Sequence, residues 1–219
     1  MCIRDRPNFI TLCNAVCGIL AILLGNPILG AYLVLAAMIL DTIDGAAARM
    51  LNVKSELGKQ LDSMSDLVSF GVAPAYLYYT LFSDTEALLA CIFFILSGLF
   101  RLAKFNTLEY AEDFNGLPIP AAAGILSGYV LLYAFDAPHS SDLLPMLAII
   151  IPAICMNIHM KFFSLKNETI LMNWQLWFVV ISTVLTLIID WHYGLLACFV
   201  AYLAVSFFGG VVRNVRSSS

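Results

Sequence analysis

The chain consists of long apolar stretches separated by short polar connections. Eight stretches can be delimited, at 9–24, 28–48, 61–81, 87–102, 118–135, 143–159, 171–189 and 193–212. Each is near the length that a helix needs to cross a hydrocarbon core about 30 Å thick. Because a lone strand cannot satisfy its backbone polar groups in lipid, each stretch is predicted to be a helix. The pattern therefore predicts an all-α, polytopic transmembrane bundle of about eight helices.

Composition agrees with that prediction. Of the 219 residues, 61% are hydrophobic and 12% are charged, and the mean hydropathy is +0.90. A soluble domain of this length needs far more polar surface. The net charge of −4 gives no reason to expect a nucleic-acid partner. The six cysteines are scattered through apolar segments at spacings that match neither a zinc site nor a disulfide framework. With no internal repeat, residues 1–219 are predicted to form a single membrane domain.

The basic residues lie on alternate connections between the stretches. With eight spans, all eleven fall on one side of the membrane: Arg4, Arg6, Arg49, Lys54, Lys59, Arg101, Lys104, Lys161, Lys166, Arg213 and Arg216. An extra or missing helix would scatter them over both sides. By the positive-inside rule, both termini and these connections are predicted to be cytoplasmic in a cell-membrane protein.

Four carboxylates interrupt the apolar pattern at the cytoplasmic end of the second and third stretches. Asp41 and Asp44 are three residues apart, and Asp62 and Asp66 are four apart, so each pair lies on one face of a helix. A loop over 50–57 reverses the chain and brings the two pairs face to face. Four buried carboxylates need a counter-charge. Oxygen ligands favour hard cations, so the site is predicted to hold Mg²⁺ or Mn²⁺.

Residues beside these carboxylates favour a phosphate-bearing substrate. Gly45 removes a side chain next to Asp44, which permits close approach to the backbone. Arg49, one turn further along, can present a guanidinium to phosphate. The small residues that separate them, at 46–48, either keep the helix slim at the site or serve helix packing alone. Solvated acids at helix ends are the other structural interpretation of the carboxylates.

The chain resembles the CDP-alcohol phosphotransferase family. The resemblance rests on the pattern Asp-x-x-Asp-Gly-x-x-Ala-Arg, eight residues, Gly, three residues, Asp, three residues, Asp, which is met by Asp41, Asp44, Gly45, Ala48, Arg49, Gly58, Asp62 and Asp66. The segment at 7–14 resembles the opening segment of the family, and the segments at 62–75, 101–106 and 114–123 are similar to the branch of the family that uses serine. The similarity covers about the first six stretches.

The resemblance implies a reaction. A phosphatidyl group would pass from CDP-diacylglycerol to L-serine, with release of CMP, in an enzyme that uses two divalent cations and forms a homodimer in the membrane. It further implies that Asp41, Asp44 and Asp62 are metal ligands. Asp66 would be a ligand and also the general base that takes the proton from the serine hydroxyl.

The resemblance also implies substrate contacts, each with a plainer alternative. Gly45 and Arg49 would contact the nucleotide and its phosphates. The remaining candidates for the CDP-diacylglycerol site are Asn8 and Thr11, which are also typical of helix capping, and Ser55, which is also an ordinary loop serine. Arg101 is the candidate for the serine carboxylate or a phosphate, or else a basic residue that only sets topology. Asn106 would shape the serine pocket.

Two other functions stay open from the sequence. A related enzyme with another acceptor, such as glycerol 3-phosphate or an inositol phosphate, would need an additional basic cluster for the acceptor's own phosphate. A cation transporter would use the acids as an ion path, although such proteins place their site near the midplane and show an inverted repeat.

Overall fold

The computed structural model describes residues 6–50, 55–107, 116–136 and 143–158, and every regular element in these ranges is helical. The elements are α1 (Arg6–Leu24), α2 (Pro27–Met50), α3 (Glu56–Asp66), a π-helical segment (Leu67–Val72, hereafter the π segment), α4 (Ala73–Phe82), α5 (Thr85–Thr107), α6 (Ile119–Asp136) and α7 (Leu143–Asn157). The first six predicted stretches are confirmed as helices. The stretches at 171–189 and 193–212 lie outside the described residues.

A tight turn joins α1 to α2 and fixes them as antiparallel neighbours. Gly25 ends α1 with a φ of 59°, a conformation that favours glycine, and its N–H donates to the carbonyl of Ile22 at 3.2 Å. The Asn26 side chain then caps α2, because its Oδ1 accepts from the N–H of Leu29 at 3.0 Å. Pro27 follows at the first helical position, where its missing N–H costs nothing.

The helix α3 begins earlier than the sequence predicts. Ser55 has extended backbone angles and caps the helix, its Oγ accepting from the N–H of Gly58 at 3.0 Å. The sequence predicted a loop over 50–57 and a helix that starts at 61. Both bounds were wrong, because α3 begins at Glu56. The first turn of α3 is polar, so hydropathy gave no signal for it. The stretch predicted to end at 102 likewise continues as helix to Thr107.

One continuous rod runs from α3 through the π segment to α4. The N–H of Ala73 donates to the carbonyl of Val68, five residues earlier, which is the π pattern. The rod ends at Ser83, whose φ is 48°. Asp84 then caps α5, its Oδ1 accepting from the N–H of Ala87 at 2.6 Å.

The core lies where α2, α4, α5 and α6 meet around the π segment. Its largest fully buried side chains include Phe70, Leu77, Tyr78, Phe94, Leu126 and Ile149. Glycines permit close approach at two crossings, since a Cβ on Gly30 would collide with Leu77 and one on Gly98 would lie 2.8 Å from Ile119. Small residues at crossings are typical of packing between helices in membranes.

The outer faces of the helices are apolar. Leu23, Leu89 and Phe100 are 75%, 62% and 62% exposed, and a water-soluble domain rarely presents so much large apolar surface. Within the described residues, Pro27–Ala46 and Thr85–Thr107 are long and apolar enough to cross a membrane, and Phe9–Leu24, Ile119–Phe135 and Leu143–Asn157 are shorter apolar helices. The architecture therefore fits a helical membrane protein, while the number of spans and the side of the termini stay predictions.

Close packing between α1 and the π segment depends on Gly18. A Cβ built at Gly18 would lie 2.7 Å from the Cα of Ser69. That neighbour is backbone inside a helix, so it cannot move away without displacing the π segment. Gly71, in the π segment itself, is a contrasting case, because its added Cβ would meet only the Leu67 Cδ1 at 3.1 Å, the end of a flexible side chain.

We expect Gly18→Ala to lower the free energy of unfolding by about 1–3 kcal/mol, the usual cost of overpacking. Gly71→Ala, the matched control, should cost clearly less, since the Leu67 side chain can rotate. Thermal unfolding of both variants in detergent measures the difference. Equal midpoints for the two variants would contradict the close contact at Gly18.

Candidate metal and catalytic site

The antiparallel arrangement of α2 and α3 brings three of the four predicted carboxylates together. Asp41 lies in α2, and Asp62 and Asp66 lie one turn apart on α3. One carboxylate oxygen from each lies within 4.8 Å of the others. The spacing in the sequence thus places these groups around a common point.

Asp44 lies on the next turn of α2 and is 4% exposed. Its carboxylate interacts with the Thr11 hydroxyl on α1 and with the backbone N–H of Gly45. Its Oδ2 atom is buried and has no hydrogen-bond partner among the described residues. Asp44 is therefore near the three-carboxylate group and joined to α1, and it has an oxygen to offer a cation.

The donor set at this point fits a divalent metal. Asp66 is 9% exposed, and Asp41 and Asp62 are half-buried beside it. Like charges so close together repel strongly where water is scarce, unless a cation lies between them. All of the candidate donors are carboxylate oxygens, which are the ligands that Mg²⁺ and Mn²⁺ prefer.

The residue Asn14 belongs to this site, and the sequence analysis gave it no role. It lies on α1, it is completely buried, and its Nδ2 donates to Asp66 Oδ1 at 3.3 Å. A signal was present in the sequence: Thr11, Asn14 and Gly18 recur at spacings of three and four on an otherwise apolar helix. Such a stripe lies on one face and favours a polar contact with a neighbouring helix.

A second hydrogen-bond group joins α3 to the end of α5. Asn106 Nδ2 donates to the Ser63 Oγ at 2.9 Å, and Lys59 Nζ donates to the backbone carbonyl of Asn106 at 3.2 Å. Ser63 directly follows Asp62 in the sequence. Asn106 therefore contacts the helix that carries two of the carboxylates, which is compatible with the predicted role in shaping the acceptor pocket.

The structure describes the remaining predicted substrate contacts to different extents. Arg101 is 9% exposed and lies within α5, not at its end. The Ser55 Oγ caps α3 by accepting from the N–H of Gly58, and its hydroxyl hydrogen and second lone pair remain for a contact with a nucleotide. Asn8 and Arg49 belong to α1 and α2, and their side chains lie outside the part of the chain that the structure describes.

Comparison with known proteins places this site in a family context. The family model for CDP-alcohol phosphatidyltransferase matches residues 4–158, a range that contains every carboxylate discussed above. Over 125 residues the chain is 45% identical to the CDP-diacylglycerol–serine O-phosphatidyltransferase of Methanocaldococcus jannaschii, covering 57% of this chain and 60% of that protein. Over 124 residues it is 44% identical to the protein of the same name from Bacillus subtilis, covering 53% of this chain and 70% of that protein.

A third relative has a related name. The archaetidylserine synthase of Methanothermobacter thermautotrophicus is 37% identical over 134 residues, which is 57% of each chain. The chain thus matches between just over half and about two thirds of the length of these relatives. The family match extends over most of the sequence and includes all of the carboxylates. The chain belongs to the CDP-alcohol phosphatidyltransferase family.

Proposed function

We propose that this protein transfers the phosphatidyl group from CDP-diacylglycerol to L-serine, giving phosphatidylserine and CMP. The observation that carries the proposal is the group formed by Asp41, Asp62 and Asp66, whose oxygens lie within 4.8 Å of one another. Carboxylates that can hold divalent cations suit a pyrophosphate-bearing donor, and here they occur in a member of the CDP-alcohol phosphatidyltransferase family.

Serine as the acceptor is supported by what the relatives' names have in common. Two are named for phosphatidyl transfer to serine, and a third is named for the synthesis of archaetidylserine. The lipid part differs among these names, whereas serine is shared. We therefore assign serine as the acceptor.

The proton of the acceptor hydroxyl goes to Asp66 in this proposal. As that proton leaves, the serine oxygen forms a bond to the β-phosphorus of CDP-diacylglycerol, and the anhydride bond to CMP breaks. Asp66 suits this role because it is the most buried of the three grouped carboxylates and accepts a hydrogen bond from Asn14, which orients it. General bases of this kind contribute about 10²–10⁴-fold to rate.

The other carboxylates hold the metal in this proposal. Asp41, Asp44 and Asp62 are assigned as ligands together with Asp66, and the Thr11 contact fixes the orientation of Asp44. Two divalent cations at such a site neutralise the pyrophosphate and stabilise the leaving phosphate. The nucleotide and its phosphates are assigned to Gly45, Arg49, Asn8, Thr11 and Ser55.

An acceptor without a phosphate of its own is supported by the basic side chains near the site. Lys59 is already engaged with the carbonyl of Asn106, and Arg101 is buried within α5. A phosphorylated acceptor would require several cations in one pocket. We assign Arg101 to the serine carboxylate and Asn106, through Ser63, to the shape of the pocket.

The proposed site lies at the cytoplasmic face of the cell membrane. All eleven basic residues fall on one side when the chain has eight spans, and the carboxylates lie at that end of α2 and α3. Serine and CMP are water-soluble, whereas both lipids are not, so a site at the rim of the bundle gives each substrate access from its own phase.

Substitution of Asp66 separates metal binding from proton transfer. We expect Asp66→Asn to reduce CMP release by more than about 10²-fold while Mn²⁺ remains bound, because the amide oxygen and three other ligands persist. Asp62→Asn should reduce Mn²⁺ affinity as well. CMP release and the electron paramagnetic resonance of Mn²⁺ measure the two effects. Asp84→Asn, which keeps the cap of α5, is the control. Near-normal turnover by Asp66→Asn would show that Asp66 is not the general base.

The acceptor is decided by an assay of the purified protein with CDP-diacylglycerol and single alcohols. We expect CMP release with L-serine and background release with glycerol 3-phosphate or inositol phosphate. Removal of divalent metal with EDTA should abolish the release, and added Mg²⁺ or Mn²⁺ should restore it. Turnover with a phosphorylated acceptor and none with serine would overturn the assignment.

Topology can be tested with single cysteines in a variant whose six native cysteines are replaced by alanine. A membrane-impermeant thiol reagent should label Lys104→Cys from the cytoplasmic side and Asp84→Cys from the opposite side, because Asp84 directly precedes α5 and Lys104 lies in its last turn. CMP release by each variant verifies the fold. Labelling of both positions from one side would contradict the proposed span.

A further inference from the structure

The side chain of Asn14 is buried in a place where a polar group is costly. It is 0% exposed, on a helix whose other described side chains are mostly apolar. An amide in such surroundings destabilises the fold unless both its donor and its acceptor find partners. A buried polar atom left without a partner costs about 1–3 kcal/mol.

Only one end of this amide has a partner among the residues that the structure describes. The Nδ2 donates to Asp66 Oδ1 at 3.3 Å, while the Oδ1 has no hydrogen-bond partner in that part of the chain. The orientation follows from chemistry, since an ionised carboxylate only accepts hydrogen bonds and must face the NH₂ group. The carbonyl oxygen of Asn14 is bonded to the same carbon as the NH₂ group, so it lies next to the contact with Asp66 and is left as a bare acceptor there.

The backbone of Asn14 is fixed in position by the π segment. The Ser69 Oγ donates to the Asn14 carbonyl at 2.9 Å, and both residues are fully buried. One turn further along α1, Gly18 lets the backbone at Ser69 approach closely. The π segment directly follows Asp66 in the chain, so the same contact fixes Asn14 relative to the carboxylate that its side chain holds.

We propose that Asn14 positions Asp66 and that, with it, Asn14 recognises an alcohol carrying an amine on the adjacent carbon. The hydroxyl meets Asp66, and the neighbouring ammonium group donates to Asn14 Oδ1. The proposal rests on the proposed function, because it takes Asp66 as the base. L-serine carries its hydroxyl and its ammonium on adjacent carbons, which matches two acceptors presented side by side.

The proposal accounts for the bare oxygen by giving it a partner in the substrate complex. A site built around a substrate donor discriminates strongly against analogues that lack the donor, because its polar group then stays unpaired. Glycerol 3-phosphate and inositol phosphate have no amine. Asn14 therefore contributes to acceptor choice by a route that is independent of Arg101 and of basic residues in general.

Steady-state kinetics of Asn14→Ala and Asn14→Leu separate the two roles. Loss of positioning should lower kcat at least tenfold, with KM for CDP-diacylglycerol changed less than twofold. Loss of the amine contact should raise KM for serine about tenfold. The inhibition constant of 3-hydroxypropionate, which keeps the hydroxyl and carboxylate of serine but lacks the amine, should change less than twofold. Leucine is close to asparagine in size and is apolar, so it protects the test against failure to fold.

The control is Ser127→Ala, which removes a fully buried hydroxyl from α6 that makes no hydrogen bond within the described ranges. Ser127→Ala should leave kcat, both KM values and the inhibition constant of 3-hydroxypropionate unchanged. Mn²⁺ binding by electron paramagnetic resonance provides a readout apart from turnover, and we expect it to be retained within about threefold in both Asn14 variants because Asp41, Asp44 and Asp62 are intact.

Three outcomes decide the inference. If the wild type uses serine and both variants keep kcat within threefold, the positioning role is wrong while the proposed function stands. Parallel increases in KM for serine and in the inhibition constant of 3-hydroxypropionate would contradict the proposed contact between Asn14 and the ammonium group of serine. A wild type without serine turnover would overturn the proposed acceptor and the amine contact together. In that event, kcat with the alcohol it does use still decides the positioning of Asp66.

Discussion

Mutual repulsion between buried carboxylates is the constraint on which the rest of this structure depends. Asp41, Asp62 and Asp66 point at one another within 4.8 Å in a protein that is 61% hydrophobic. The surrounding helices must hold such a group together against this repulsion. The turn between α1 and α2, the cap on α3 and the close approach of α1 to the π segment all fix the helices that bear these groups.

The helical class of the fold and the grouping of Asp41, Asp62 and Asp66 could be predicted from local patterns. Hydropathy delimits six helices that the structure describes, and the spacing of the four acids places them on facing helix surfaces. Both signals lie in the order of residues along one or two helices. The start of α3 escaped prediction because Ser55 and Glu56 are polar and carry no hydropathy signal, although Ser55 is a typical cap.

What the sequence could not supply is contact between distant segments. Asn14 and Asp66 are 52 residues apart, and Ser63 and Asn106 are 43 apart. A single buried asparagine gives no indication of which helix it faces until the helices are packed. The π segment was likewise unpredictable, because its residues are ordinary for an α-helix and no local pattern marks the wider turn.

The π segment also changes the phase of the rod that contains it. A residue of an α-helix advances about 100° around the axis, so a widened turn rotates everything after it relative to everything before it. The face of α3 that bears Asp62 and Asp66 is thereby uncoupled from the face of α4 that buries Leu77 and Tyr78. With one residue fewer, the rod would be α-helical throughout. The face of α3 that bears the carboxylates and the face of α4 that packs in the core could then not be oriented independently.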